Sequence, residues 1–277
     1  MPENYEADKQ AILEKRHALG ADYWATPDRR LIKGSPFTTM DCAYMLADLG
    51  MEPTHPVLEA TAQLIFSTLR VDGRFKLSPD GAIYPCHTIN AIRTLCYLGY
   101  ADDPRLEKTW AHLLETQHAG GGWRCNKFPF GRGPETEHAN PGPTLAALDA
   151  FRFTPDCNRS EALTHAVAFL LDHWNIRVPI GPCHYGIGSR FLQITYPFTG
   201  YHIFFYAYVL SFYDVAKQDA RFLEALSHVR MALTDGRIVV QRQNPGLKGL
   251  AFCAKGKASA IGTARYQEIL TNLAAPR

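Results

Sequence analysis

The chain has 277 residues, of which 46% are hydrophobic and 20% charged. That balance supports a folded core and excludes intrinsic disorder. Its 29 basic and 27 acidic side chains leave a formal net charge of +2, which excludes the concentrated positive field of a nucleic-acid binder.

The N-terminus is charged from its first residues and no apolar signal region follows, so the expectation is a cytoplasmic protein. Seven cysteines in such a chain are read as reduced thiols. In chain order, amphipathic segments fall near 4–18, 56–70, 104–117, 160–174 and 219–233, and apolar ones near 36–48, 85–98, 141–152, 197–213 and 256–270. Segments of the first kind carry charge on one face, as outer helices do; those of the second are apolar nearly all round, as inner helices are. The longest apolar run, Tyr201 to Tyr213, falls short of the roughly 20 residues a membrane span needs. Proline stands near each of four inner-helix starts (Pro36, Pro85, Pro141 and Pro197), where its missing N–H costs nothing. Gly50 and Gly99 follow Leu49 and Leu98 as C-terminal helix stops.

Internal repetition ties these segments together. Pro56-Val-Leu-Glu-Ala-Thr61 matches Pro104-Arg-Leu-Glu-Lys-Thr109 at an offset of 48, at which Asp72-Gly-Arg-Phe75 falls on Gly120-Gly-Gly-Trp123. A third copy is Phe222-Leu-Glu-Ala225 followed by Asp235-Gly-Arg-Ile238. The expectation is a single all-α domain over 1–277, built from about five helical hairpins. The Gly/Pro-rich loop 119–140 is long enough to be functional in its own right.

Two motifs in and after that loop carry a family resemblance. Gln117-His-Ala-Gly-Gly121-Gly-Trp123 resembles the repeat motif of triterpene cyclases, in which Gln caps the next helix and Trp stacks beneath it. Gly121-Gly-Trp-Arg124-Cys-Asn-Lys127 resembles the diphosphate-binding segment of farnesyltransferase β-subunits, and Glu137-His138 with Thr144-Leu-Ala-Ala-Leu148 resembles the helix start downstream of it. The chain thus resembles the α/α-toroid superfamily of protein prenyltransferase β-subunits and squalene/triterpene cyclases. The motifs cover about 115–148, and the hairpin repeat extends over most of the chain. The resemblance implies an α/α toroid of inner and outer helices. It implies a transferase or cyclase acting on a small apolar, isoprenoid-like or diphosphate-bearing substrate in the toroid cavity. It also places Arg124, Lys127 and His138 on the diphosphate. Three departures stand against a full match. Phe128-Pro-Phe130 occupies the place of the zinc-binding Asp-x-Cys. Ala101-Asp102-Asp103 is not the protonating D-x-D-D run. Five hairpins are one short of a complete ring, which leaves a face that a homodimer would cover.

Beside the resemblance, the residues themselves offer three constellations. Arg124, Lys127, Arg132 and His138 form a cationic cluster suited to an anion; the same cluster also reads as a solvated basic loop balanced by Glu135 and Glu137. Cys86-His87, Cys125 and Cys183-His184 all precede or open inner helices and together suit zinc; they read equally as unrelated buried thiols and interfacial histidines. A metal-bound Cys125, with His138 and the inner-helix His202, would be the catalytic set. His202 shares its register with Asp41 and Asn90. Trp123 and Tyr201 lead a group of aromatics that either line an apolar substrate pocket or simply form core. Two other functions remain open: a zinc enzyme with different thiol chemistry, and a non-catalytic helical-repeat binding protein.

Overall fold

The computed structural model describes residues 5–125 and 134–275; Lys127 and Arg132 of the cationic cluster lie outside the described residues. Among these residues the chain is mostly helical, with eleven α-helices and one short hairpin of strands. The chain divides into two compact units.

The N-terminal unit, Asn4–Thr116 with Asn244–Leu250, holds α1 (Glu6–Glu14), α2 (Thr39–Asp48), α3 (Pro56–Phe66), α4 (Pro85–Tyr97) and α5 (Glu107–Glu115). Helix α2 packs on α4, and α3 packs on both. The C-terminal unit, Gln117–Gln243 with Ala251–Arg277, holds α6 (Pro141–Phe151), α7 (Glu161–Ile176), α8 (Ile203–Leu210), α9 (Asp214–Lys217), α10 (Ala220–Met231), the strands β1 (Leu233–Thr234) and β2 (Arg237–Ile238), and α11 (Ala260–Ala274). There α6 packs on α7 and α8, α10 on α7 and α8, and α11 on α8 and β2.

Burial follows composition for several helices, but α11, expected to be apolar nearly all round, buries only Gly262, Tyr266 and Ile269. Every residue of α8 is buried, and α2 and α6 are buried nearly all round. Helix α10 buries only Phe222, Ala225, Leu226 and Val229, one stripe at helical spacing; α5 buries only Thr109 and Leu113.

The repeat seen in the sequence is a physical device. In each copy a turn delivers a buried apolar residue whose N–H donates to a threonine hydroxyl on the helix that follows: Phe75 to Thr88 at 3.1 Å, Trp123 to Thr144 at 3.0 Å and Ile238 to Thr263 at 3.0 Å. Phe75 and Ile238 are fully buried and Trp123 nearly so; a buried N–H must find a partner, and the hydroxyl supplies it. Glycine is required in the turn. Gly73 and Gly121 both sit at φ +82°, and a Cβ on Gly121 would lie 2.5 Å from the His165 carbonyl oxygen of α7. Gly73 meets the Lys108 carbonyl of α5 in the same way.

Several helix starts differ from the sequence expectation, each because a side chain caps the helix later than the expected start. Pro85 and Pro141 do open α4 and α6. Helix α2 instead starts after Thr38, whose Oγ1 accepts the Asp41 N–H at 3.0 Å. Helix α11 starts after Ser259, whose Oγ accepts the Gly262 N–H at 3.0 Å. Helix α8 begins six residues after Pro197, because His202 is extended (φ −155°, ψ 160°) and its Nδ1 accepts the Phe205 N–H at 3.3 Å. His202 is therefore a cap outside the helix, not an inner-helix residue. It does not share a register with Asp41, in the first turn of α2, or with Asn90, in the middle of α4.

Candidate site at the N-terminus of helix α6

The segment from Gln117 to Cys125 is tied down at both ends. Gln117 Nε2 donates to the Ala162 carbonyl in the first turn of α7 at 2.6 Å, so this glutamine does join the next outer helix. The Trp123 ring stacks on Phe151 of α6 at 5.9 Å and lies in the core. Two residues further, the Cys125 N–H donates to Asn140 Oδ1 at 2.6 Å, and the Asn140 N–H donates to the Trp123 carbonyl at 2.9 Å.

These bonds set Arg124 beside the start of α6. Its Nε is buried and, among the described residues, has no hydrogen-bond partner; the same holds for Asn140 Nδ2. Asn140 is fully buried. As the residue before α6 it would ordinarily cap the helix, but its oxygen is spent on Cys125 and no side-chain cap forms. Bare buried donors are costly unless something accepts from them.

The His118 imidazole lies in the field of Arg124. His118 is held by the Gly120 N–H, which donates to its Nδ1 at 3.1 Å, so its outward donor is Nε2. Burial first, then the charges of Arg124 and His138, lower the His118 pKa, and Glu137 opposes them. His138 itself is exposed. Its charge also reaches His173 of α7.

A second loop closes over the same helix start. The Gly181 N–H donates to the Glu135 carbonyl at 2.7 Å, and a Cβ on Gly181 would lie 3.0 Å from Asn140 Nδ2. Ile180 and Tyr185 exchange backbone hydrogen bonds around the turn that holds Cys183 and His184. The Tyr185 ring presses on Gly142, where a Cβ would come within 2.6 Å of it. Tyr185 meets Tyr201 edge-on at 5.6 Å, and Phe191 lies 4.7 Å from Tyr201. The Tyr201 hydroxyl bonds to His173 Nδ1 at 2.9 Å, and His173 Nε2 bonds to the Val178 carbonyl at 3.3 Å. The carbonyl can only accept, so Nε2 carries the proton and Nδ1 accepts from the tyrosine. Burial pushes His173 down to about 4, outweighing the hydrogen bonds to Val178 and Tyr185 that favour its charged form; His138 adds to the lowering. Burial raises the Tyr201 phenol well above its ordinary value. The pair is a neutral imidazole accepting from a neutral phenol.

Of the residues singled out by sequence, the C-terminal unit thus brings Arg124, Cys125, His138, Cys183, His184 and Tyr201 into the segments around the start of α6. His202 caps α8 in the same unit. Cys86 and His87 open α4 in the N-terminal unit, with His87 edge-on to Tyr84 at 5.1 Å. Zinc needs several donors at one point. Among the described residues no group of three or more His, Cys, Asp or Glu side chains is placed to hold a metal ion. Sequence reasoning missed His118, Asn140 and His173. His118 stood inside the Gln117–Trp123 motif, and Asn140 stood directly before Pro141, where a cap is expected. Nothing in the sequence marked His173 inside its amphipathic helix.

No family model matches the chain, and no curated protein matches it. Solved structures do. The chain is similar over 99% of its length to variants of the type II terpene cyclase MstE from Scytonema. Two hold the substrate geranylgeranyl dihydroxybenzoate, at 14% and 15% identity, 79% coverage of each cyclase chain and TM-scores of 0.48 and 0.47. A third holds the product merosterolic acid A, at 16% identity, 80% coverage and a TM-score of 0.45. Among the described residues, no helix is long and apolar enough to cross a membrane.

Proposed function

We propose that the protein is an enzyme of the prenyltransferase or terpene-cyclase kind, acting on a small isoprenoid-like substrate with an anionic end. Arg124, His118 and His138 receive that end at the start of α6, and the rings of Tyr185, Tyr201 and Phe191 receive the apolar part. The observation that carries this reading is the buried Arg124 Nε, bare among the described residues, with the His118 imidazole in its field and the bare Asn140 amide at the start of α6. A guanidinium fork matches phosphate or carboxylate oxygens, and a helix N-terminus adds to the attraction. Donors fixed in advance stabilise negative charge as it builds on a leaving group. Aromatic faces stabilise positive charge on the carbon skeleton. No step here runs through zinc.

The test is binding of farnesyl diphosphate, with farnesol as the uncharged control. Replacing Arg124 with Gln is expected to weaken diphosphate binding by about 10- to 100-fold, the range of a lost charge-assisted pair, while farnesol binding stays as it was. Wild-type affinity in the Arg124→Gln protein would overturn the reading.

A further inference from the structure

A second group of cations lies away from Arg124, where three segments of the C-terminal unit run side by side. The Gln241 and Arg242 N–H groups both donate to the Ile194 carbonyl, at 2.9 and 3.1 Å, and the Ile194 N–H returns a bond to Gln241 Oε1 at 2.9 Å. On the other side the Val240 N–H donates to the Lys257 carbonyl at 3.0 Å, and the Gly256 N–H to the Val240 carbonyl at 2.8 Å. Isolated bridges pair Thr195 with Arg242 and Val239 with Ala258. The backbone therefore holds Arg242 between the strand-like segment that follows Arg190 and the turn that carries Lys255 and Lys257.

No carboxylate accompanies these cations in sequence. Residues 173–213 contain no Asp or Glu, and neither do residues 236–267. Several other arginines of the unit do have carboxylate partners. Arg152 is paired with Asp149, Arg177 with Glu224, Arg221 with Asp219 and Asp172, and Arg265 with Glu268. Arg242 is half-buried, and the charge felt at it is that of another cation, Arg190. Burial and Arg190 both disfavour its charged form. A partly desolvated guanidinium facing a second guanidinium is unfavourable in isolation and becomes favourable once an anion lies between them.

We propose that Arg190 and Arg242, with Lys255 and Lys257, form a second anion site that takes a phosphate-type oxyanion, separate from the site at Arg124. Two forks and two ammonium groups exceed what one carboxylate would balance, and they suit a multiply charged phosphate or diphosphate. The proposal does not depend on the reading of Arg124.

Calorimetric titration with inorganic diphosphate at about 0.15 M salt, where exposed charges are screened, tests it. The wild-type chain is expected to take up one equivalent that the double variant Arg190→Gln/Arg242→Gln loses or binds at least about ten-fold more weakly, with thermal unfolding unchanged. Arg242→Lys, which keeps the charge but not the fork, is expected to fall between the two. Wild-type stoichiometry and affinity in the double variant would overturn the proposal. So would binding to phosphatidylserine vesicles that the double variant abolishes while free diphosphate does not bind, because the patch would then serve a lipid surface. The Arg124→Gln protein keeps the two readings apart: it loses the other equivalent only if the α6 site also binds diphosphate.

Discussion

His173 offers a pH dependence that can be worked out in advance. Its imidazole is fully buried, accepts from Tyr201 and donates to Val178, and is pushed from its ordinary 6.5 down to about 4. Between those values the unfolded chain binds a proton at this position that the folded chain refuses. The stabilising contribution is thus complete above about pH 6.5, falls as the pH drops, and is exhausted near pH 4, because there both states are protonated. The slope inside the window approaches 1.4 kcal/mol per pH unit, and the full contribution is about 3 kcal/mol. Protonation would also turn Nδ1 from an acceptor into a donor facing the Tyr201 hydroxyl, so the bond to tyrosine must rearrange. The assay is urea unfolding of the wild type and of His173→Gln at steps from pH 7 to 4.5. Carboxylates titrate alike in both proteins and cancel in the difference. The wild type should lose stability faster than the variant by about 2 kcal/mol over that range. Parallel pH profiles, or an NMR titration of the His173 ring near 6.5, would refute the reasoning.

Two further outcomes follow from the same geometry. Gly121→Ala should lower stability by at least about 2 kcal/mol, because it adds a Cβ at positive φ against the His165 carbonyl. Gly50→Ala, at φ +80° with nothing within 4 Å, should cost only about 1 kcal/mol; equal melting temperatures of the two variants would contradict the close contact. Protein purified without added metal should carry substoichiometric zinc, and a full equivalent removed by Cys125→Ser would show that ligands assemble after all.

The helices were legible because burial dictates composition. The all-round apolar run Ile203–Leu210 and the single stripe of Phe222, Ala225, Leu226 and Val229 could each be recognised from sequence as a fully buried and a one-faced helix. The repeat was legible through Asp72-Gly-Arg-Phe75 and its copies, since positive φ and a buried following residue restrict the choice of amino acid. Helix starts were less so. Proline at position 36 or 197 permits a helix but does not begin one; the actual starts depend on whether Thr38 or His202 can reach an N–H two or three residues on, which is settled by backbone geometry. The thiol–imidazole set was less legible for a related reason: its members stand ahead of helices in local settings of different kinds, Cys86-His87 inside the first turn of α4 and Cys183-His184 in the turn between Ile180 and Tyr185.

The candidate site arises at a helix that starts without a side-chain cap, as α4 also does after Tyr84. Thr38, His202 and Ser259 each spend a side chain on capping the helix that follows. Asn140 stands four residues before Thr144 as Ser259 stands four before Thr263, yet its oxygen accepts from Cys125 and α6 goes uncapped. Pro141 and Pro143 remove two further N–H groups from the first turn of α6. What remains is the positive end of α6 without its usual side-chain acceptor, next to an Arg124 Nε that is bare among the described residues. Bare buried donors are costly, and an anion at this corner would relieve that cost. That expectation makes Asn140→Asp informative. Placing a carboxylate at the cap should stabilise the free protein while weakening diphosphate binding, and a variant that gains stability yet binds as well as wild type would break the link between the missing cap and the site.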